Sequence, residues 1–200
     1  MYFAFEVLEK DIAGRLGRLK VGEKTVRTPA ILPVINPNLT LITPREMKSL
    51  GVEALITNAY IFFRSERFKK QVEKEGLHRF LDFDGVIMTD SGAFQHSIYG
   101  EIEISNRETL EFQLQIGSDI IVPLDIPTLP GADHETAERE LALTMTRLRE
   151  ARDIAPERSV GPVQGGIFPD LRKKAAEDIQ RLGYCFCPIG YSNAHCHFLV

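Results

Sequence analysis

Val86-Ile87-Met88-Thr89-Asp90-Ser91-Gly92 is a short, β-rich apolar run that ends on a carboxylate followed by two small residues. Comparable runs recur at Ala30 to Ile35, Ala54 to Thr57, Ile120 to Leu124, Val160 to Val163 and Cys185 to Ile189. Amphipathic stretches with helical spacing lie between them, and this alternation of strands with helices specifies a parallel sheet. Asn36, Asn58, Asp90, Asp125 and Gln164 follow five consecutive runs. Ligands of parallel α/β folds bind at the carboxyl ends of the strands. A ring of five polar groups at one mouth suits a barrel better than an open doubly wound sheet. Each of the five taken alone reads equally as a turn or helix cap.

The helices carry their own start signals. Thr43-Pro44-Arg45-Glu46 and Ser105-Asn106-Arg107-Glu108 are capping boxes, the first with Pro at the opening helical position. Asp133 is placed to cap the longest helix, whose Ala137, Leu141, Met145 and Leu148 recur on one face as a core stripe. Pro169 and Asp170 open another helix, which stops at Gly183. Ahead of Pro29, Tyr2 to Leu8 and Arg15 to Val21 are strand-like, and Val21-Gly22-Glu23-Lys24 turns back into Thr25 to Thr28. This predicts an N-terminal antiparallel β hairpin over residues 1–28. Arg64, Arg67, Lys69, Lys70, Lys74 and Arg79 outnumber the acids of one helical stretch, a pattern that suits phosphate contact but is more often a solvated face.

Composition removes several classes of function. At 200 residues, 44% hydrophobic and 26% charged, the chain builds a sizeable core and is neither fibrous nor disordered. Its longest uncharged stretches, such as Ile31 to Pro44, are cut by Pro and Asn short of the roughly 18 apolar residues of a membrane span. Glu6, Glu9 and Asp11 near the N-terminus do not suit an export signal, which places the protein in the cytoplasm with no membrane partner. Three cysteines within the last 16 residues make no disulfide framework. A net charge of −4 argues against a generally basic nucleic-acid coat.

Two carboxylates stand in unusual settings. Asp90 sits at a strand-to-loop junction beside Ser91 and Gly92, where backbone amides can bind an anion or a base edge. Asp125, in Val122-Pro123-Leu124-Asp125-Ile126-Pro127, lies in rigid apolar surroundings that suit either a proton-active acid or an acceptor of paired N–H donors. Gly165-Gly166 after Gln164 allows close approach of a ligand to the backbone. The pair lacks the spacing of a phosphate-cradling loop, so no nucleotide cofactor is indicated.

These segments resemble the tRNA-guanine transglycosylases, and most closely the archaeal branch acting on guanine 15 of the tRNA D-loop. The resemblance rests on Thr28-Pro29-Ala30-Ile31-Leu32-Pro33-Val34-Ile35-Asn36-Pro37-Asn38 and Ile56-Thr57-Asn58-Ala59-Tyr60. It continues through Asp90-Ser91-Gly92 with Phe94-Gln95, Tyr99-Gly100-Glu101, Asn106-Arg107-Glu108, Leu124-Asp125-Ile126-Pro127-Thr128 and Val163-Gln164-Gly165-Gly166. It runs from about Pro29 to about Gly190. It implies a TIM-type (β/α)8 barrel and a pentosyl transfer that exchanges guanine for a 7-deazaguanine such as preQ0, toward archaeosine. The aspartate matching Asp90 acts in relatives at the glycosidic bond, as nucleophile or as acid/base partner of a second aspartate. Those matching Asp125 and Gln164 bind the base, with Ser91, Gly165, Gly190 and Tyr191 beside them. Phe94 or Tyr99 would stack on it or simply pack.

The departures are as specific as the matches. Relatives carry a small residue where this chain has Tyr191, and Ser192 to Val200 matches nothing in the family. About eight strands close such a barrel, so six runs predict an incomplete one, with residues 29–190 as a partial barrel and 191–200 as a divergent tail. The family's zinc cluster and second aspartate fall in the unmatched part. Cys185, Cys187, His195, Cys196 and His197 do not reproduce the zinc-ligand pattern, so no metal ligands are expected. The expected partners are tRNA, guanine or a 7-deazaguanine, and a second copy or another chain covering the exposed strand edges. The alternative to an active transglycosylase is a truncated, non-catalytic base-binding module that needs a partner chain.

Overall fold

Three antiparallel strands open the chain: β1 (Phe3–Asp11), β2 (Gly14–Val21) and β3 (Lys24–Thr28), paired in the order β1-β2-β3. The N-terminal element is therefore a three-stranded sheet, one strand more than a hairpin. Val21 faces Lys24 across a two-residue turn, and Gly22 at φ +58° supplies the left-handed conformation which that turn requires. This computed structural model describes residues 1–39, 41–92 and 104–189. They fall into two units, one formed by Met1–Asp90 with Phe112–Ile121, the other by the described residues of Ser91–Glu111 and those from Val122 on.

In the first unit, β4 (Val34–Ile35), β5 (Ala54–Asn58), β6 (Val86–Asp90) and β7 (Ile120–Ile121) form a parallel sheet in the order β4-β5-β6-β7. Sequential order is what strand-helix units wound in one direction produce, whereas a doubly wound sheet reverses at a switch point. β5 is buried at every position, as befits a strand covered on both faces. Its polar Thr57 donates to the Ile35 carbonyl (2.7 Å), and Thr89 of β6 donates to Gln113 Oε1 (2.7 Å).

Of the six apolar runs, four contain strands, and two of those strands are short. Pro33 and Pro123 lack the N–H that a ladder needs, which limits the first run to Val34–Ile35 and the fourth to Ile120–Ile121. The fifth and sixth runs hold one parallel bridge, Val163 to Ile189. Gly161 N–H donates to the Phe186 carbonyl (3.1 Å) and Val163 N–H to the Pro188 carbonyl (2.8 Å). The return bond to Gly161 would come from residue 188, a proline, so the pairing does not extend into a ladder.

Both sequence-read capping boxes form. Thr43 and Glu46 exchange bonds of 2.8 and 3.2 Å at the start of α1 (Pro44–Ser49). The basic stretch from Arg64 to Arg79 spans three helices rather than one: α2 (Ala59–Arg64), α3 (Glu66–Glu75) and α4 (Leu77–Leu81). Ser65 caps α3, and Gly76 at φ +82° breaks the chain before α4. Lys70 pairs with Glu66, and Lys69 Nζ lies 4.0 Å above the Phe63 ring, so part of this charge is held locally. Phe62, Val72, Leu77, Leu81, Ile87, Phe112 and Ile116 are among the side chains that fill the core of this unit.

Ser105 and Glu108 make the second box (2.9 and 3.2 Å) at the start of α5 (Asn106–Gln115). In the second unit, Asp133 accepts from Thr136 N–H (2.8 Å) and opens α6 (His134–Ile154). The stripe Ala137, Leu141, Met145 and Leu148 is buried against Leu171, Ala175 and Ile179 of α7 (Pro169–Arg181). Tyr184 closes this core by donating to the Leu148 carbonyl (2.8 Å), and burial pushes its phenol up to about 12.

Asp119, just ahead of β7, accepts from Lys24 Nζ (2.8 and 3.0 Å) and from Ile87 N–H (2.8 Å), while Lys24 also donates to the Gly85 carbonyl (2.9 Å). His78 Nδ1 donates to the Phe83 carbonyl (2.8 Å), and its Nε2 lies 3.0 Å from both Lys24 Nζ and Asp119 Oδ2. A neutral ring thus accepts from the lysine, and a protonated one donates to the carboxylate. Burial alone would raise Asp119; the hydrogen bonds from His78, Lys24 and Ile87 outweigh it and hold the carboxyl below its usual range. Asp119→Asn is expected to lower stability by about 2 kcal/mol in urea unfolding at pH 7. Because the folded-state value is depressed, the stabilisation is complete above roughly pH 4 to 5 and disappears as pH falls through the folded value. The difference between variant and parent should therefore shrink toward pH 3.

Candidate functional site

Asp90 is the last residue of β6 and pairs in register with Asn58, the last residue of β5, so both stand at the carboxyl end of the parallel sheet. Asn58 also caps α2, accepting the Ile61 N–H through Oδ1 (3.2 Å). Asn36 accepts from Asn38 N–H (3.0 Å) in a local turn. For these two asparagines the turn and cap reading is met directly.

Asp125 and Gln164 are brought together. Gln164 Nε2 donates to Asp125 Oδ2 at 2.5 Å, across 39 positions of sequence. Gln164 is buried and Asp125 half-buried. A carboxylate and a primary amide so joined present one face with acceptor oxygens beside a second amide proton. Gly165 follows at φ +119°, where a Cβ would lie 2.9 Å from the backbone of Leu171 and Arg172. The approach of α7 by itself therefore demands glycine at that position.

Ser91 is fully buried, and among the described residues its hydroxyl has no hydrogen-bond partner. Phe94, Tyr99, Gly190 and Tyr191 lie outside the described residues.

Among the described residues no group of three His, Cys, Asp or Glu side chains is close enough to hold a metal ion. Cys185 and Cys187 are exposed free thiols, and partial burial raises the Cys187 thiol above its ordinary value. The other three residues weighed as zinc ligands, His195, Cys196 and His197, lie outside the described residues. Among the described residues no helix is long and apolar enough to cross a membrane.

Three residues that the sequence did not single out as functional touch the loop carrying Asp125. Asn106 Oδ1 accepts the Leu124 N–H (3.0 Å), Thr144 Oγ1 accepts the Ile126 N–H (3.0 Å), and Arg147 Nη1 donates to the Leu124 carbonyl (3.4 Å). Asn106 read as part of a capping box and of the matching segment Asn106-Arg107-Glu108, with no role of its own. Thr144 interrupts an otherwise apolar helix face, and that buried polar position was the one available signal.

The family model for queuine tRNA-ribosyltransferase matches residues 11–193 of this chain, beyond both ends of the stretch in which the motifs are recognisable. The tRNA-guanine(15) transglycosylase of Methanosarcina barkeri is 52% identical over 188 residues, covering 93% of this chain and 38% of the relative. That of Archaeoglobus fulgidus is 48% identical over 189 residues (93% and 39%), and that of Thermococcus kodakarensis 46% over 188 residues (94% and 32%). The chain thus spans less than two fifths of the length of these curated relatives. Asp90, Asp125 and Gln164 all lie inside the matched stretch, and the chain belongs to the queuine tRNA-ribosyltransferase family.

Proposed function

We propose that this chain carries the base-exchange chemistry of a tRNA-guanine(15) transglycosylase, replacing guanine in the tRNA D-loop by a 7-deazaguanine such as preQ0 within a TIM-type barrel. The contact between Asp125 and Gln164 carries the reading. Guanine offers two adjacent kinds of N–H donor, on the ring and on the 2-amino group, beside a carbonyl acceptor. The Asp125 carboxylate accepts from the donors, and the second Nε2 proton of Gln164 is available to the carbonyl. Ser91, Gly165, Gly190 and Tyr191 complete the base contacts in this proposal.

Asp90 acts on the glycosidic bond. As nucleophile, its carboxylate oxygen bonds to the ribose anomeric carbon as the bond to the guanine ring nitrogen breaks, and that nitrogen gains a proton. The incoming base then loses its proton and displaces the carboxylate, so atoms and charge balance over the exchange. As acid/base partner, Asp90 would instead move that proton. The apolar side chains Ile31, Val34, Leu39, Leu41 and Ile42 are exposed around β4, which among the described strands pairs only with β5. A second copy or a further segment of protein covers them in this reading.

Incubation of the chain with unmodified tRNA and labelled guanine is expected to place label in tRNA, and Asp90→Ala to reduce incorporation at least 100-fold. A tRNA adduct stable to denaturing electrophoresis identifies the nucleophile role. Absence of label in a folded chain that still binds guanine would instead support the non-catalytic, partner-dependent module. Asp125→Asn is expected to weaken guanine binding by about 1–3 kcal/mol in calorimetry, because an amide turned toward the ligand's N–H groups leaves a donor unpaired. Sedimentation at micromolar concentration should show association of the isolated chain; a monodisperse monomer would refute the covered β4 edge.

A further inference from the structure

Leu124, Asp125 and Ile126 belong to neither helix nor strand, yet the peptides on either side of Asp125 are gripped by side chains. Asn106 from α5 holds the Leu124 N–H, Thr144 from α6 holds the Ile126 N–H, and Arg147, one turn further along α6, holds the Leu124 carbonyl. Asn106 is 7% exposed and Thr144 is fully buried, so these bonds are shielded from competing water. The Asn106 amide has one usable orientation. Its Nδ2 donates to the Arg147 carbonyl (3.1 Å) and to Glu150 Oε2 (2.8 Å), which leaves the oxygen facing Leu124. Pro123 and Pro127 restrict the backbone just outside the gripped peptides.

A buried loop must pair its backbone groups somehow, and that demand alone would explain any one of these bonds. Three side chains from two helices converging on three successive peptides, two of which bracket a single carboxylate, do more. They fix the position of its Cα and the direction of its Cα–Cβ bond, and Gln164 then restrains the carboxylate itself. Recognition of a planar base edge depends on that direction, since a hydrogen bond weakens steeply once its angle falls away from linear.

We propose that Asn106, Thr144 and Arg147 are positioning residues that aim the Asp125 carboxylate at the donor edge of bound guanine, an inference that rests on the reading of Asp125 as base acceptor. A misaimed carboxylate loses its bond to the 2-amino group and its discrimination with it, while contacts to the rest of the purine persist. The signature is therefore loss of preference for guanine over hypoxanthine, which lacks that amino group. A general loss of folding would weaken both bases alike.

Calorimetric titration of the full chain with guanine and with hypoxanthine tests this. Thr144→Val keeps the shape and removes the acceptor; it is expected to weaken guanine about tenfold, the scale of one hydrogen bond, and hypoxanthine much less. Thr144→Ser, which keeps the hydroxyl, should restore the preference. Arg147→Met, at a half-exposed position, should lower it to a smaller degree and gives a second reading where Thr144→Val does not fold. Unchanged preference in a folded Thr144→Val or Arg147→Met chain, or equal loss of both bases, overturns the positioning role provided Asp125→Asn abolishes the preference. Unchanged guanine affinity in Asp125→Asn overturns the base reading itself, and the positioning role falls with it.

Discussion

The carboxylate of Asp119 is the point on which the first unit depends. It sits immediately before β7, accepts the Ile87 N–H of β6, and draws in Lys24 from the antiparallel sheet and His78 from α4. Three stretches far apart in sequence, around Lys24, around His78 to Ile87 and at Asp119, meet at one charged group. A carboxylate this enclosed is stable only while its donors are in place, and each donor is useful only where its own backbone runs. The network lies at the amino ends of the parallel strands, and Asp90 lies at the opposite, carboxyl end of β6. If Asp90 acts as proposed, stabilising chemistry and reactive chemistry are thereby kept apart, the division of labour usual for strand-helix folds.

What the sequence discloses about this fold is what is decided locally. The pairs Thr43 with Glu46 and Ser105 with Glu108, and the cap at Asp133, are set within four residues of chain, and all three form. The stripe on α6 is legible for the same reason, because one helix fixes its own periodicity. The extent of the strands is not local. Ala30 to Ile35 and Ile120 to Leu124 have strand-like composition, yet pairing depends on N–H groups that Pro33 and Pro123 cannot offer to a neighbour. Cys185 to Ile189 fails to extend a ladder because of Pro188.

The candidate site divides along the same line. Asn36 and Asn58 satisfy the rule that polar residues end the strands of such folds, but the same residue types cap turns and helices, and the structure gives them those local roles. The motifs around Asp125 and Gln164 mark each residue separately. That the two are bonded, across 39 positions, is a property of the folded chain. Thr144 and Arg147 are farther still from any sequence signal, and the motif holding Asn106 does not tell its task, since a polar residue on a helix declares nothing about the loop it will hold.

A joined carboxylate and amide also bears on what an exchange enzyme has to achieve. Adenine places a ring lone pair where guanine places an N–H, so under the proposed function a carboxylate there would face a lone pair and the pair would reject adenine by repulsion as well as by lost bonds. A 7-deazaguanine differs from guanine on the other ring and presents the same donor and acceptor edge. Under the proposed function, the leaving base and its replacement would therefore be read identically by Asp125 and Gln164. That is a requirement of base exchange in one pocket, because a site that bound only the departing guanine would have nothing with which to hold its successor. In that proposal, discrimination in favour of the replacement would come from groups facing the five-membered ring, and Asp125 with Gln164 would contribute only the exclusion of other bases.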